Sequence, residues 1–322
     1  MDLKQEVVDR GFCMERVYGF LKLDGCRCKK SGYMDQYYVY IDDEEYYFKP
    51  TKFCYNEIVT YYILRFLEFD VCYVDLASLN GKYGVISKSL RRDGVNLVSG
   101  NVILRTYLID HYRTVCKMGF DKRDYRYLKS YYLNALSSRP SRTINTLDII
   151  WQALDYMYKD KINISEVMDK FVIMYLFDII VNNDDRHEWN WMIEESDEGI
   201  RLAPLFDFDC CLKENFTSFK MGVDLDAFIN EGCIVNSARD RLANFLDVSS
   251  YDYLYLFLNM FNKVVNNFDI ILSEVEEKIN RKIPVYVKKK MRDTLDKKSK
   301  QINELLDSDK FSRHIIKIRK QN

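Results

Sequence analysis

Hydrophobic and polar positions change rhythm near residue 90. From Val17 to Leu90 strand-like patterns dominate. Tyr37-Tyr38-Val39-Tyr40-Ile41, the acidic turn Asp42 to Glu45, and Tyr46-Tyr47-Phe48-Lys49 predict a hairpin. Phe53 to Glu68 interrupts the strands with apolar residues at helical spacing: Ile58, Tyr62 and Phe66 on one row, Val59, Ile63 and Leu67 on the next. Val71 to Leu79 and Lys82 to Leu90 then read as two strands around Asn80-Gly81, a pair that tolerates the positive φ of a tight hairpin turn. Beyond Gly94 the pattern is mostly helical. Helices are predicted over Asn101 to His111, Arg123 to Leu136, Thr146 to Tyr158 and Ser165 to Val181, with Ser137 to Ser141 as a loop. Trp191-Met192-Ile193, the polar turn Glu194 to Gly199, and the run from Ile200 to Asp209 read as strand, turn, strand, aspartate. Helical spacing returns at Ala238 to Leu246, Tyr251 to Phe268, Ile270 to Asn280 and Val285 to Leu306. The expected fold class is α+β.

One polar cluster stands out against this background. Asn182-Asn183-Asp184-Asp185-Arg186-His187-Glu188-Trp189-Asn190 follows the apolar segment Phe171 to Val181 and precedes an apolar strand. Asp- and Asn-rich stretches commonly cap helices and make turns. Here buried elements on both sides would hold the carboxylates at a fixed place, and a second carboxylate, Asp207, arrives at the end of the following hairpin.

These residues also carry a family resemblance. Asp185 and Asn190 have the offset of the Asp and Asn in the protein-kinase catalytic loop H-R-D-x-x-x-x-N. Asn183-x-Asp185-x-His187-x-x-Asn190, followed by Leu202-Ala203-Pro204-x-Phe206-Asp207, resembles the signature of HipA-like serine/threonine kinases, N-x-D-x-H-x-K-N and then L-x-P-x-Y-D. Asp185-Arg186-His187-x-x-Asn190 is also similar to the D-R-H-x-x-N of phosphatidylinositol kinases, which share the fold. Trp189 stands where the HipA-like pattern has Lys, and Phe206 where it has Tyr. The resemblance covers the stretch from Tyr46 to Phe208. It implies a two-lobed protein-kinase-like fold, with residues 1–92 as a small β-rich lobe containing one helix, residues 93–322 as a larger, mostly helical lobe, and a hinge at residues 90 to 95.

The resemblance further implies ATP and Mg2+ as cofactors and assigns roles. Asp185 would orient or deprotonate the acceptor hydroxyl, while Asn190 and Asp207 would hold magnesium. Asp184 and Asp209 are neighbouring carboxylates without the motif's spacing. His187 would pack and orient the loop or meet transition-state charge. In the small lobe Lys49-Pro50 closes a strand and Asn56-Glu57 opens a helix, so Lys49 would meet the nucleotide phosphates and Glu57 would brace it by an ion pair. A surface lysine and a first-turn glutamate favoured by the helix dipole would look the same in sequence. The chain has no G-x-G-x-x-G; Lys29-Lys30-Ser31-Gly32 is the candidate phosphate-covering loop, with Ser31 and Gly32 as its binding residues. Ser87 and Leu90, in the segment Ser87-Lys88-Ser89-Leu90, are the candidate hinge contacts for adenine.

Composition narrows the picture further. Apolar residues make up 48% and charged residues 30% of the 322, as in an ordinary folded protein, and 25 Tyr imply many interfaces where a ring packs and a hydroxyl bonds. The net charge of −1 conceals an uneven distribution: Val285 to Asn322 holds 12 Lys or Arg against 5 Asp or Glu. Acids interspersed among these bases, with no aromatic platform, point to a solvated helical face and against direct nucleic-acid binding. The 9 Cys form no C-x-x-C pair and the 3 His are scattered, which argues against a disulfide scaffold or a zinc centre. No apolar run is long enough for a transmembrane segment, and the polar start Met1 to Glu6 carries no secretory pattern, so a cytoplasmic protein is expected.

Three functions compete at this level. The first is a kinase transferring the γ-phosphoryl group of ATP to a Ser or Thr of a protein substrate. The second keeps the chemistry but takes a lipid or small-molecule acceptor. The third is a catalytically weak kinase-fold binding module acting with an antitoxin or DNA-binding partner in a toxin-antitoxin system.

Overall fold

The computed structural model describes residues 16–31, 36–117, 147–159, 161, 163–183, 185–213 and 250–306. Period-two alternation before residue 90 builds a seven-stranded sheet in the order β1-β2-β6-β7-β5-β4-β3. Its strands are β1 (Arg16–Val17), β2 (Phe20–Lys22), β3 (Arg27–Lys30), β4 (Tyr37–Ile41), β5 (Glu44–Pro50), β6 (Val74–Leu79) and β7 (Lys82–Lys88). Only β2 and β6 run parallel; the other neighbours are antiparallel. Alternation sorts the two faces. Tyr46 and Phe48 of β5 enter a core with Leu23, Val39, Ile41 and Ile86, while Tyr47 and Lys49 take the opposite face. β6 is buried at every position because both its faces are covered: Val74 and Leu76 meet the main core, Ala77 and Leu79 the sheet's own core.

Helix α1 (Cys54–Phe66) lies on the Lys49 side of this sheet, burying Ile58, Val59, Ile63 and Leu64. Thr51 Oγ1 accepts the Phe53 N–H at 3.1 Å just before the helix begins. The chain leaves the helix through Glu68, which adopts φ +63°.

The remaining described elements are mostly helical: α2 (Gly100–Lys117), with a non-helical residue at His111, α3 (Leu147–Tyr158), α4 (Ile164–Ile180), α5 (Ser250–Lys278) and α6 (Val285–Leu306). A small sheet of β8 (Asn96–Ser99), β9 (Met192–Ser196) and β10 (Gly199–Leu202) lies among them in the order β10-β9-β8. The architecture is therefore α+β with a β-rich lobe and a helical lobe. α4 is the central helix. Asn163 caps it by accepting the Ser165 N–H at 3.2 Å, and from Phe171 to Ile180 nearly every side chain is buried. None of the described helices is long and apolar enough to cross a membrane.

Three features differ from the sequence pattern. β8 was not expected; it gains its partners only when β9 arrives from almost a hundred residues away, with Leu97 opposite Glu194. The two helices expected over Tyr251 to Phe268 and Ile270 to Asn280 are one helix, α5. No Gly or Pro interrupts it, and Phe257, Phe261, Val264, Phe268, Ile271 and Val275 form one continuous buried stripe. Asp269, which looked like a break, faces outward and pairs with Arg292 of α6. The strand expected from Val71 begins at Val74, because Val71 instead bridges to Leu205 of the other lobe. The helices expected at Arg123 to Leu136 and Ala238 to Leu246, and the loop Ser137 to Ser141, lie outside the described residues.

Gly84 sets the fit between β5 and β7. A Cβ at this position would lie 2.1 Å from the Lys49 carbonyl oxygen and 2.7 Å from the Pro50 Cα, both backbone atoms. Gly84→Ala should therefore force the strand carrying Lys49 aside and destabilise the protein by about 1–3 kcal/mol, the usual cost of overpacking. Urea denaturation of the variant checks this; an unchanged midpoint would show that the strands can part without cost.

Candidate active site

The site grows from the end of α4. Asp178, in the last turn, is 2% exposed, and a carboxylate so buried is costly unless a cation meets it. Arg186, 0% exposed, supplies that cation: Nε donates to Asp178 Oδ2 at 2.9 Å and Nη2 to Oδ1 at 3.1 Å. The remaining arm, Nη1, donates to the carbonyls of Asn190 at 2.7 Å and Phe206 at 3.1 Å. One guanidinium thus ties together the helix end, the close of the polar loop and the residue before Asp207. Asn183 adds to this clasp, its Nδ2 donating to Asp178 Oδ1 at 2.8 Å while its Oδ1 accepts the Asp185 N–H at 3.2 Å. Asn182 turns the chain at φ +54°, a conformation Asn tolerates. At the far end Trp191 is buried edge-on against Phe171, with ring centroids 4.9 Å apart.

Asp207 arrives from the other side. Leu205 is held by the backbone at the start of β6: its N–H reaches Asp70 O, and its carbonyl accepts the Cys72 N–H, each at 2.9 Å. Asp207 itself adopts φ +62°. Its Oδ1 accepts from Lys49 Nζ at 2.5 Å, while Glu57 Oε2 lies 3.2 Å and Asp209 Oδ2 3.6 Å from the same nitrogen. Lys49 therefore reaches from β5 to carboxylates on α1 and on the segment after β10. That segment is fastened to α1 as well, since Asn56 Nδ2 donates to the carbonyls of Cys211 at 2.8 Å and Leu212 at 3.3 Å.

The electrostatics follow from this crowding. Burial works against the Lys49 ammonium, but Asp207, Glu57 and Asp209 together hold its pKa well above the usual value. Burial also opposes the charge on Asp207, yet Lys49 keeps its carboxyl below the ordinary range. Glu57 shares the same cation less favourably. Burial, reinforced by Asp207 and Asp209, pushes it up to about 7 despite Lys49. Burial, then Asp207 and Asp209, also raises Asp185 to about 6; its side chain is 46% exposed, so solvent tempers the effect. His187 is lowered to about 4, chiefly by burial, and is neutral at physiological pH. Its Nδ1 accepts the Trp189 N–H at 3.1 Å, which places the ring proton on Nε2, 4.0 Å from Asp185 Oδ1.

Of the residues singled out in the sequence, Lys49, Glu57, Asp185, His187, Asn190 and Asp207 lie at this one place. The Asn190 amide donates to the Asp185 carbonyl at 2.8 Å, closing the loop between them. Ser31 lies 3.3 Å from the Tyr47 hydroxyl, Ser87 pairs with Tyr47 across β5 and β7, and Leu90 follows two residues after β7 ends. Gly32 and Asp184 lie outside the described residues. Two residues gain importance. Asp209, set aside for want of motif spacing, joins Glu57 and Asp207 with carboxylate oxygens all within 4.8 Å of one another. Arg186 was only one letter of the motif, and no spacing rule marks it as the residue on which the loop hangs. Its proximity to Asp178 on a predicted helix was the available signal. Cys210 Sγ also touches Asp185 Oδ2 at 3.7 Å.

No family model matches the chain, and no curated protein matches it in sequence. Among solved structures it is similar to the proinflammatory kinase CtkA of Helicobacter pylori, with a TM-score of 0.58 and 17% identity over 92% of this chain and 98% of that one. The chain has a kinase fold. The HipA of Shewanella oneidensis, solved with HipB and its operator DNA, aligns over 87% of this chain and 67% of its own, at 12% identity and a TM-score of 0.48. A golgi casein kinase aligns over 93% of this chain and 75% of its own, at 10% identity and a TM-score of 0.38. The motif resemblance to HipA-like kinases agrees with the kinase fold.

A divalent cation fits the donors of this fold's cleft. Glu57, Asp207 and Asp209 bring carboxylate oxygens within 4.8 Å of one another around one ammonium, and an all-oxygen donor set suits magnesium.

Two outcomes follow from the charges. Arg186→Met should cost about 3–5 kcal/mol, because it strands the Asp178 carboxylate in the core. Adding Asp178→Leu should recover part of that loss in a double-mutant cycle measured by urea denaturation. The second outcome concerns pH. Asp185 and Glu57 hold their protons to higher pH when folded than when unfolded, so each contributes stability that is lost as pH rises from about 4 to about 7. Asp207, shifted downward, acts in the opposite sense at more acidic pH, and His187, lowered to about 4, opposes the two carboxylates between about pH 4 and 6.5. Thermal melts across this range should show wild type losing stability relative to Glu57→Gln as pH rises from about 4 to about 7, because the variant lacks the raised carboxyl.

Proposed function

We propose that the chain is an ATP- and magnesium-dependent kinase that transfers the γ-phosphoryl group to a Ser or Thr hydroxyl of a protein. The observation carrying this reading is the convergence of Lys49, Glu57, Asp185 and Asp207, drawn from four separate elements, on one partly open cleft. The choice of a protein acceptor rests on the motif resemblance. In this reading the hinge between the lobes falls at residues 90 to 95, with the boundary between residues 92 and 93.

Lys49 offers its ammonium to the nucleotide phosphates, and Glu57 keeps that ammonium over the cleft. Asp207, Asn190 and Asp209 are the residues that would hold magnesium, whose charge offsets the charge building on the phosphoryl oxygens. Asp185 receives the acceptor hydroxyl: as its oxygen bonds to phosphorus and the bond to the ADP oxygen breaks, the hydroxyl proton passes to the carboxylate. A pKa of about 6 leaves Asp185 ionised at neutral pH yet able to take that proton. Neutral His187 braces the loop through the Trp189 N–H and adds no positive charge beside Asp185.

Incubation with labelled ATP and magnesium, alone and with cell extract, tests the reading. Wild-type protein should label itself or an extract protein. Asp185→Asn should lower transfer by about two to four decades while nucleotide binding persists. Lys49→Met and Glu57→Ala should each weaken activity, and less than additively together, because they remove one shared ion pair. No incorporated label, or full activity of Asp185→Asn, would overturn the assignment.

A further inference from the structure

We infer that Cys210, backed by Lys213, is the positioning residue for Asp185: its thiol pins one carboxylate oxygen and leaves the other to the acceptor hydroxyl. The inference deepens the kinase reading above and rests on it. The Asp185 side chain is 46% exposed, and a carboxylate so open turns about its side-chain bonds unless something holds it. The residues already assigned to the site do not. Asn190 Nδ2 donates to the Asp185 carbonyl and not to its carboxylate, and His187 Nε2 stays 4.0 Å from Oδ1. Among the described residues, the hydrogen bond to the carboxylate comes from Cys210, whose Sγ lies 3.7 Å from Oδ2.

The thiol is itself held. Lys213 Nζ donates to Cys210 Sγ at 3.4 Å, and the same ammonium lies 3.7 Å from the centre of the Phe53 ring. A sulfur that accepts a hydrogen bond from a cation becomes a better donor through its own S–H, because linked hydrogen bonds polarise one another. Backbone contacts fix the segment that carries both residues. The Leu212 N–H reaches the Val181 carbonyl at 2.6 Å, and Asn182 Nδ2 donates to the Lys213 carbonyl at 3.2 Å. Asn56 takes the Cys211 and Leu212 carbonyls from the other side. Cys210 is thus fastened both to the end of α4, where the polar loop begins, and to α1.

A thiol suits this place. Burial, then Asp209 and Asp185, push its pKa up, so Cys210 keeps its proton and donates at neutral pH. It is also a weak donor, which orients the carboxylate without competing strongly for its charge. The proton of the acceptor hydroxyl passes to the remaining oxygen, Oδ1, and the thiol keeps its own.

The test uses the full chain in excess magnesium. It measures the rate of label transfer from saturating ATP to the chain itself or to extract protein, and ATP affinity by calorimetry. Cys210→Ala should slow transfer by about 5- to 50-fold, the scale expected when a reacting group is misplaced, and leave ATP affinity within about twofold. Cys210→Ser, which restores a donor, should recover most of that loss. Lys213→Met should slow transfer less than Cys210→Ala and add nothing to it in the double variant. In an Asp185→Asn background Cys210→Ala should have no further effect, because the carboxylate it positions is gone. Wild-type transfer by Cys210→Ala or Lys213→Met, equal defects in the Ala and Ser variants, or a full further loss on top of Asp185→Asn would overturn the inference and leave the kinase reading standing. So would a parallel loss of ATP affinity and transfer, which marks a merely structural role. A wild-type chain that transfers no label would overturn both.

Discussion

A buried arginine and a buried aspartate hold the polar loop from Asn183 to Asn190 in shape. Asp178 closes a helix buried along nearly all of its last three turns, where water cannot solvate it, and Arg186 folds back from the next turn to meet it with two hydrogen bonds. Such a pair gains little net stability over apolar residues of the same size, because both ions lose their hydration. What it provides is geometry. A planar guanidinium bound on one edge has only one direction left for its remaining arm, and that arm takes the carbonyls of Asn190 and Phe206. Asp185, Asn190 and Asp207 inherit their positions from those carbonyls.

A second constraint is an imbalance of charge. Lys49 is surrounded by Asp207, Glu57 and Asp209, and it cannot satisfy all three equally. Asp207 holds the shortest contact and stays ionised, while Glu57, deeper and less well served, shifts upward to about 7. The three carboxylates outnumber the one ammonium among them, an excess of negative charge that a cation would offset. The same logic explains why His187 is kept neutral: burial beside Arg186 makes another positive charge expensive there, although Asp207 pulls in the opposite direction.

The lobes are linked beside these carboxylates. Leu205, two residues before Asp207, bridges to Val71 at the approach to β6, and Asn56 on α1 grips the carbonyls of Cys211 and Leu212. Movement of the small lobe would thus pass directly to the carboxylates, since the same short segment carries Asp207 and both attachments.

The sequence by itself determined what is local. Alternation in β4 and β5, the Asn80-Gly81 turn, the apolar rows of α1 and the unbroken hydrophobic run of α4 all follow from periodicities shorter than a few turns. The Asp185 to Asn190 offset is likewise a spacing within a single loop. Tertiary structure decided whatever depends on partners far apart in the chain. β8 is a strand because β9 offers hydrogen bonds, and α5 runs through Asp269 because its apolar stripe continues and Arg292 of α6 receives the carboxylate. Asp209 enters the site through the fold around Lys49, not through any motif. Arg186 holds the loop because Asp178, eight residues earlier, has been drawn out of water. Burial turns an ordinary pair of charges into a fixed joint, and burial is a property of the packed molecule, which no stretch of residues possesses alone.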